Sequence, residues 1–420
     1  MAHAALLAIV AVSLLLMLVR PRGISEVWWI SGGALLLLAL RLIPLRLAGK
    51  AVGEGTDVYL FLLGMMLLSE LAREHGVFDW VAATSVRHAR GSCSRLFLLV
   101  YAVGALITIF MSNDATAVVL TPAILAAVRK AKVTPLPYLF VCALIANAAS
   151  FVLPISNPAN LVVFHTQMPP LGRWLASFAL PSLLSILATY AAMRWIFHRE
   201  LRAGIDCEVA PVELAGSGKL VLGGLGLMVV VLLTCSALKL ELGLPTCVAA
   251  LVVAGIVSWR AHANPLPLLQ HISWSTLLLV AGLFVLVDAV ESIGALQLTQ
   301  HWLQAAADLG QVASTLLVGF AVGVGNNMVN NLPLGLIAGA TLHAAHQQQG
   351  LMANAVLIGV DLGPNLSVTG SLATILWLLA LRKGEVEVSG WQFLKVGAIA
   401  MPVAMLAALG GALLMQLLTR

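Results

Sequence analysis

MSNDATAVVLTP, residues 111–122, decides how the chain is to be read. Ser112, Asn113 and Asp114 stand together directly after the apolar run LFLLVYAVGALITIF (96–110), and a second apolar run follows almost at once. The chain as a whole is strongly apolar too. Of its 420 residues 60% are hydrophobic and only 10% charged, with a mean hydropathy of +1.00; a soluble domain carries about 25% charged residues. Apolar stretches of spanning length, roughly 17 to 25 residues, recur from end to end, so the sequence describes an integral membrane protein with no soluble catalytic domain. The acid of SNDA therefore sits between two apolar segments at membrane depth, where a charge is expensive to keep and functional by default.

A second copy of this arrangement lies 218 positions on. Glu70 in GMMLLSELAREHG pairs at that offset with Asp288 in GLFVLVDAVESIG, and the flanking Gly64 and Gly76 pair with Gly282 and Gly294. The same offset takes Asn113 to Asn331 of VNNLP and Asn147 of ANAAS to Asn365 of GPNLS. Each half reads as three spanning helices, a helix pair with a polar turn, an interrupted helix and a final helix. If the pair is a re-entrant hairpin, each half crosses the bilayer five times, and an odd count inserts the copies upside down relative to each other. The expected fold is all-α, with two inverted-topology repeats, about ten transmembrane helices, two re-entrant hairpins and two broken helices. Its boundaries are an N-terminal repeat over 1–199 with a hairpin near 96–130, a cytoplasmic linker over 200–218, and a C-terminal repeat over 219–420 with a hairpin near 311–345.

Charge gives the orientation independently. Arg20, Arg22, Arg73, Arg87, Arg90, Arg95, Arg129, Lys130, Lys132, Arg194, Arg199, Arg202, Lys219, Arg260, Arg382, Lys383 and Lys395 fall on one side, 17 of the 23 Lys and Arg. By the positive-inside rule that side is cytoplasmic and both termini lie outside, in a multi-pass protein of the inner (plasma) membrane. The first apolar segment has basic residues after it and none before, the reverse of a secretory signal, and reads as a permanent helix. Trp28, Trp29, Trp174, Trp195, Trp259 and Trp391 near segment ends read as an interfacial belt. Five cysteines form no C-x-x-C pair, so no disulfide framework, zinc site or other cofactor is indicated; Cys142 reads as a small core residue and Cys207 as part of the linker. The string AGSGKL lacks the first glycine and the Ser or Thr of a phosphate loop, and no hydrolase signature appears.

Four stretches look non-helical at membrane depth: SNDATA (112–117), NAASFVLPISNPAN (147–160), GNNMVNNLP (325–333) and DLGPNLSVTGS (361–371). Such backbone is tolerated only beside protein or a water-filled cavity, and matched interruptions in two repeats point to a substrate site between them. Asn113, Asn147, Asn331 and Asn365, with Ser112, Thr116, Ser156, Ser367 and Thr369, are the candidate ligands for a small, oxygen-rich solute. The competing role for them is interhelical structure and satisfaction of backbone groups. Asp114 and Asp361 are the candidate proton carriers; against that stands a carboxylate simply tied to a turn. Glu70 and Asp288 are weaker candidates, since Arg73 and Glu291 lie close enough for an ion pair or a loop contact.

These residues bring a family into view. SNDATAVVLTPAIL, NAAS...SNPANLV, NNMVNNLP and DLGPNLSVTGSLATILWL resemble the signatures of the ArsB-type arsenite and antimonite efflux permeases of the ion-transporter superfamily, over nearly the whole chain. The resemblance implies an antiporter exporting trivalent arsenic or antimony hydroxide against protons, alone or with a cytoplasmic ATPase, with a transport domain moving as an elevator on a scaffold; whether the chain forms a homodimer is left open by the sequence. In that family a basic residue commonly follows DLGP; Asn365 stands there instead. A sodium-coupled dicarboxylate carrier, a sodium/proton antiporter or a silicic acid carrier of the same superfamily are the nearest rivals. Dicarboxylate carriers typically repeat Ser-Asn-Thr, whereas the second copy here reads NNLP. A membrane-embedded hydrolase is the rival from another class.

Overall fold

The computed structural model describes residues 2–164, 168–202, 204–205, 213–262, 264 and 266–419. Cys207 and the residues around it, 206–212, lie outside the described residues. The first half contains α1 (Ala2–Val19), α2 (Glu26–Ala39), α3 (Leu45–Glu54), α4 (Thr56–Glu74), α5 (Val77–His88), α6 (Cys93–Phe110), α7 (Thr121–Lys130), α8 (Leu136–Ala148), α9 (Pro158–Val163) and α10 (Leu171–Ile196). In the second half the series runs α11 (Gly216–Ala237), α12 (Gly243–Ala261), α13 (Leu266–His271), α14 (Trp274–Ser292), α15 (Gln297–Ala307), α16 (Gln311–Val329), α17 (Asn331–Ala344), α18 (Leu351–Leu362), α19 (Leu372–Lys383) and α20 (Gly390–Thr419). Ten helices answer ten in the same order. The starts of α4 and α14, and of α6 and α16, are separated by the 218 positions read from the sequence.

Among the described residues seven helices are long and apolar enough to cross a membrane, and α3 with α4, bent by 45°, makes an eighth. Two of the seven, α6 and α16, are the outgoing arms of hairpins that turn at 111–114 and at Asn330 and return as α7 and α17. The interrupted helices are α8 with α9 and α18 with α19. Counting each as one span, and adding the shorter apolar helices α1 and α2, gives ten spans and two hairpins. The chain is an all-α, multi-pass integral membrane protein of two inverted repeats.

Packing shows the pseudo-symmetry directly. α10 lies along its own counterpart α20, α4 packs on α12 while α14 packs on α2, and α6 on α8 is mirrored by α16 on α18. The glycines matched in sequence carry these contacts. A methyl group on Gly64 would come within 2.8 Å of the Thr246 backbone, and one on Gly282 within 2.8 Å of Ile30, so both sites need the small residue that lets helices approach closely. Gly76 and Gly294 share a φ of +71° at the turns that end α4 and α14, a conformation glycine adopts without penalty.

Trp28, Trp195, Trp259 and Trp391 are exposed as a belt requires, but Trp174 is fully buried. Its indole Nε1 donates to the Phe151 carbonyl at 3.2 Å, and its ring packs on Phe164 and Phe178. It props the α8–α9 break, where free carbonyls need donors, and is not an interfacial anchor. The first residues of the linker are pinned to the α5–α6 turn: Ile205 N donates to Gly91 O at 2.9 Å and Ser94 Oγ to Leu201 O at 3.1 Å.

Candidate substrate site

A helix starts with unsatisfied N–H groups, and a side chain that accepts from them is the usual remedy. The four interruptions are built this way, in two matched pairs. Ser112 Oγ accepts from Ala115 N at 3.2 Å, and its counterpart Asn330 Oδ1 accepts from Leu332 N at 3.5 Å, so the hairpin tips are capped alike. In the broken helices Asn157 Oδ1 accepts from Ala159 N at 3.0 Å and Ser371 Oγ from Thr374 N at 3.1 Å. Asn330 sits at φ 79° and ψ 152°, a region that costs a non-glycine residue about 1–3 kcal/mol; a 2.7 Å bond from its N–H to Asn326 O and one from Nδ2 to Thr369 O hold it there. Hairpin 1 instead resumes through a π-helical turn, Ala115–Leu120, a form frequent at functional sites.

All four caps bring their helix starts to one place. A small cavity is walled by Asn113, Asp114, Asn157, Asn331 and Ser371, with Leu62, Pro158, Thr276, Leu332, Leu372 and Ala373 completing it. Its volume, about 20 Å³, is room for about one water, so a larger solute needs the tips to part. A second cavity of about 160 Å³ shares Asp114, Leu62, Pro158, Thr276 and Leu372 with the first and runs along Ser112, Val118 and Met66 to Glu70. The Glu70 carboxylate accepts from Arg73 Nε at 2.8 Å and from Arg73 Nη2. Neither wall carries a Lys, and neither carries an Arg or His.

Of the residues singled out in the sequence, Asn113, Asp114 and Asn331 line the small cavity, Ser112 lines its vestibule, and Glu70, a weaker proton-carrier candidate, stands at the vestibule's far end. Sequence reasoning did not place Asn157, Thr276 or Ser371 at the cavity. Their signal was present: Asn157–Pro158 and Ser371 followed by Thr374 are helix-start patterns. Asp288 lines a separate cavity of about 220 Å³ with Lys50, Glu54, Glu291 and His343. Thr116 bonds inside hairpin 1 to Thr108 at 2.8 Å, Ser156 holds the break to Ile109 O at 2.9 Å, and Ser367 and Thr369 bond to Asn327.

Asn147 and Asn365 meet each other instead of the cavity. Asn147 Nδ2 donates to Asn365 Oδ1 at 2.9 Å, and Asn365 Nδ2 to Leu144 O at 3.1 Å. They are not repeat equivalents either. The return arm of hairpin 1 runs from 113 to 130 and that of hairpin 2 from 331 to 344, so the offset falls from 218 to 214 beyond the tips. The ends of α8 and α18, and the caps Asn157 and Ser371, are both 214 apart. Asn147 therefore matches Asp361, and each bonds across to the opposite break: Asn147 to Asn365, and Asp361 Oδ1 to Asn157 Nδ2 at 2.8 Å. Asp361 is fully buried one residue behind the cavity wall. In a double-mutant cycle, Asn147→Ala and Asn365→Ala are expected to couple by about 0.6 kcal/mol, and no more than about 1.7, in unfolding free energy, with the substrate KM unchanged; a raised KM in either single variant would return them to the binding site.

Paired re-entrant hairpins and broken helices meeting at one internal cavity, inside a multi-pass helical protein, define a membrane transporter. The family model described as citrate transporter matches residues 1–360, and the chain belongs to that family, CitMHS. It is 29% identical over 409 residues to the arsenical pump membrane protein of Yersinia enterocolitica and 27% identical over 410 residues to that of Escherichia coli K12, covering 93% of this chain and 94% of each relative. These relatives bear out the resemblance to the ArsB-type permeases. Among solved structures, the YdaH transporter of Alcanivorax borkumensis is similar at a TM-score of 0.56 and 16% identity, over 88% of this chain and 87% of that one, which supports the fold.

Proposed function

We propose that the protein exports trivalent arsenite or antimonite, as the neutral hydroxide, from the cytoplasm in exchange for protons, and so confers arsenical resistance. One observation carries this reading: the polar part of the cavity wall is made of neutral amides, the hydroxyls of Thr276 and Ser371, and helix starts, with Asp114 as its one ionisable group. Arsenous acid offers three hydroxyls and no charge, which Asn113, Asn331, Asn157 and Ser371 can match as donors and acceptors. The partial positive charge at the starts of α17, α19 and the hairpin 1 return arm is offset by the Asp114 carboxylate, so the loaded site has no need of a substrate anion. The arsenical pump relatives support the same substrate class. Asp114 and Asp361 are the proton carriers in this scheme, both termini face outward, and the Glu70 vestibule is the cytoplasmic entrance. A partner ATPase and a homodimer are compatible additions.

The family description favours a second reading, a citrate carrier. A polyanion would meet the Asp114 carboxylate with no Lys or Arg on the wall to answer its charge, and like charges in a low-dielectric site repel strongly. Everted membrane vesicles holding the protein are expected to accumulate arsenite when the lumen is acidified, without ATP and without sodium, and to leave citrate outside. Citrate accumulation with no arsenite uptake would reverse the assignment; uptake that requires ATP would remove the proton from it.

A further inference from the structure

A cavity of about 820 Å³ lies apart from the one walled by Asn113, Asp114 and Asn331. It is a groove between α7 and α19 with apolar walls, among them Val118, Leu376 and Leu379, and with Arg129, Arg382 and Lys383 at one end. No acid lines it among the described residues. Arg129 Nη2 donates to Gly384 O and so ties the two helix ends together under the groove. Arg382 and Lys383 are exposed and form no ion pair among the described residues. A groove that is apolar along its length and cationic at its mouth is complementary to an amphiphile with an anionic head and hydrocarbon tails. A soluble anion would gain nothing from the walls, and a neutral lipid nothing from the cations.

We propose that this groove binds one anionic phospholipid, its phosphate held by Arg382 and Lys383 and an acyl chain laid along Val118, Leu376 and Leu379. The occupant matters for transport because Val118 and Leu376 also line the vestibule that leads from Glu70 to Asp114. The lipid seals the lateral side of that vestibule, between the return arm of hairpin 1 and the second half of the second broken helix. Those two elements begin at Asp114 and Ser371, on the wall of the substrate cavity, so a wedge between their far ends biases how the tips part. The proposal rests on membrane embedding alone and holds whatever solute is carried.

Native mass spectrometry of the full-length chain, released from mixed micelles of phosphatidylglycerol and phosphatidylcholine, reads the site directly. Wild type is expected to retain one phosphatidylglycerol in preference to phosphatidylcholine, and Arg382→Gln with Lys383→Gln to lose about fivefold of that preference for each cation removed. Leu379→Trp, which fills the groove without touching its charges, is expected to lower retention of both lipids, whereas Arg87→Gln with Arg90→Gln leaves the preference intact. Equal retention of the two lipids by wild type, or an undiminished preference in the double variant, overturns the proposal. So does competition by soluble glycerol phosphate, which would mark a plain anion site. A dimer that Leu379→Trp splits would assign the groove to a second copy of the chain and overturn it equally.

Discussion

Asp114→Asn is expected to lose accumulation of arsenite under an imposed pH gradient, down to the level of vesicles without the protein, while retaining arsenite-for-arsenite counterflow. The side chain stands on the wall of both the small cavity and its vestibule. No cation shares either wall, so nothing but helix starts, amides and a captured proton can balance its charge. An asparagine keeps the shape and most hydrogen-bonding capacity but is neutral in every state. A carrier that is always neutral there can still shuttle with solute bound, which is what counterflow measures, but it no longer has to take a proton to return. Downhill exchange then persists and uphill transport does not. Full gradient-driven accumulation by the variant would show that Asp114 is no proton carrier; loss of counterflow together with accumulation would make it a substrate ligand instead.

The repeat was legible because what it repeats is close packing. Gly64 and Gly282 recur at a fixed spacing since each lets a helix cross another at contact distance, and Gly76 and Gly294 recur since each turn needs the same left-handed residue. Such requirements survive divergence of the surrounding sequence because no other side chain meets them. The hairpin tips were legible for a related reason: polar residues between two apolar arms have few places to go inside a bilayer. Trp174 shows the limit of that reasoning. Its position near a helix start suits an interfacial anchor, and only the packing of the break against α10 shows that the ring is buried and its N–H spent on Phe151.

Half of the site was legible, and the other half was hidden by register. A single offset of 218 holds up to the tips, so Asn113 and Asn331 emerged as partners and both reach the cavity. The extra four residues in the hairpin 1 return arm then shift the second pair of interruptions. At the uncorrected offset Asn147 and Asn365 look equivalent, while Asn157 and Ser371, which do line the cavity, look unrelated. Corrected, the comparison shows where the two copies have parted. Asp114 corresponds to Leu332 in the second hairpin, and Asp361 corresponds to Asn147 in the first break. Each acid belongs to one repeat only, so the two proposed proton carriers break a symmetry that the caps, glycines and helix contacts keep. That division is what an antiporter needs on the present reading: a symmetric cradle for the solute and a chemically asymmetric pair of acids beside it.

Asn157 joins the two, and its removal is expected to have the largest effect on stability of any single substitution at the site. Its Oδ1 caps α9 at Ala159 N, and its Nδ2 donates to Asp361 across the repeat boundary, from a position that is itself on the cavity wall. Asn157→Leu removes a cap worth about 1 kcal/mol and a bond to a carboxyl group worth about 1.5–3 kcal/mol, so unfolding in mixed micelles is expected to become easier by about 2.5–4 kcal/mol. Asn157→Ser keeps the capping oxygen but is too short to reach Asp361. It is expected to recover about the 1 kcal/mol of the cap and no more, and to move the pH at which gradient-driven transport is half-maximal, because the group that answers Asp361 is gone while the helix start remains. If the leucine variant is as stable as wild type, the bond across the repeats has no energetic weight. If the serine variant recovers full stability with an unmoved pH profile, Asn157 serves as a cap alone and the link between Asp361 and the cavity has to run through another residue.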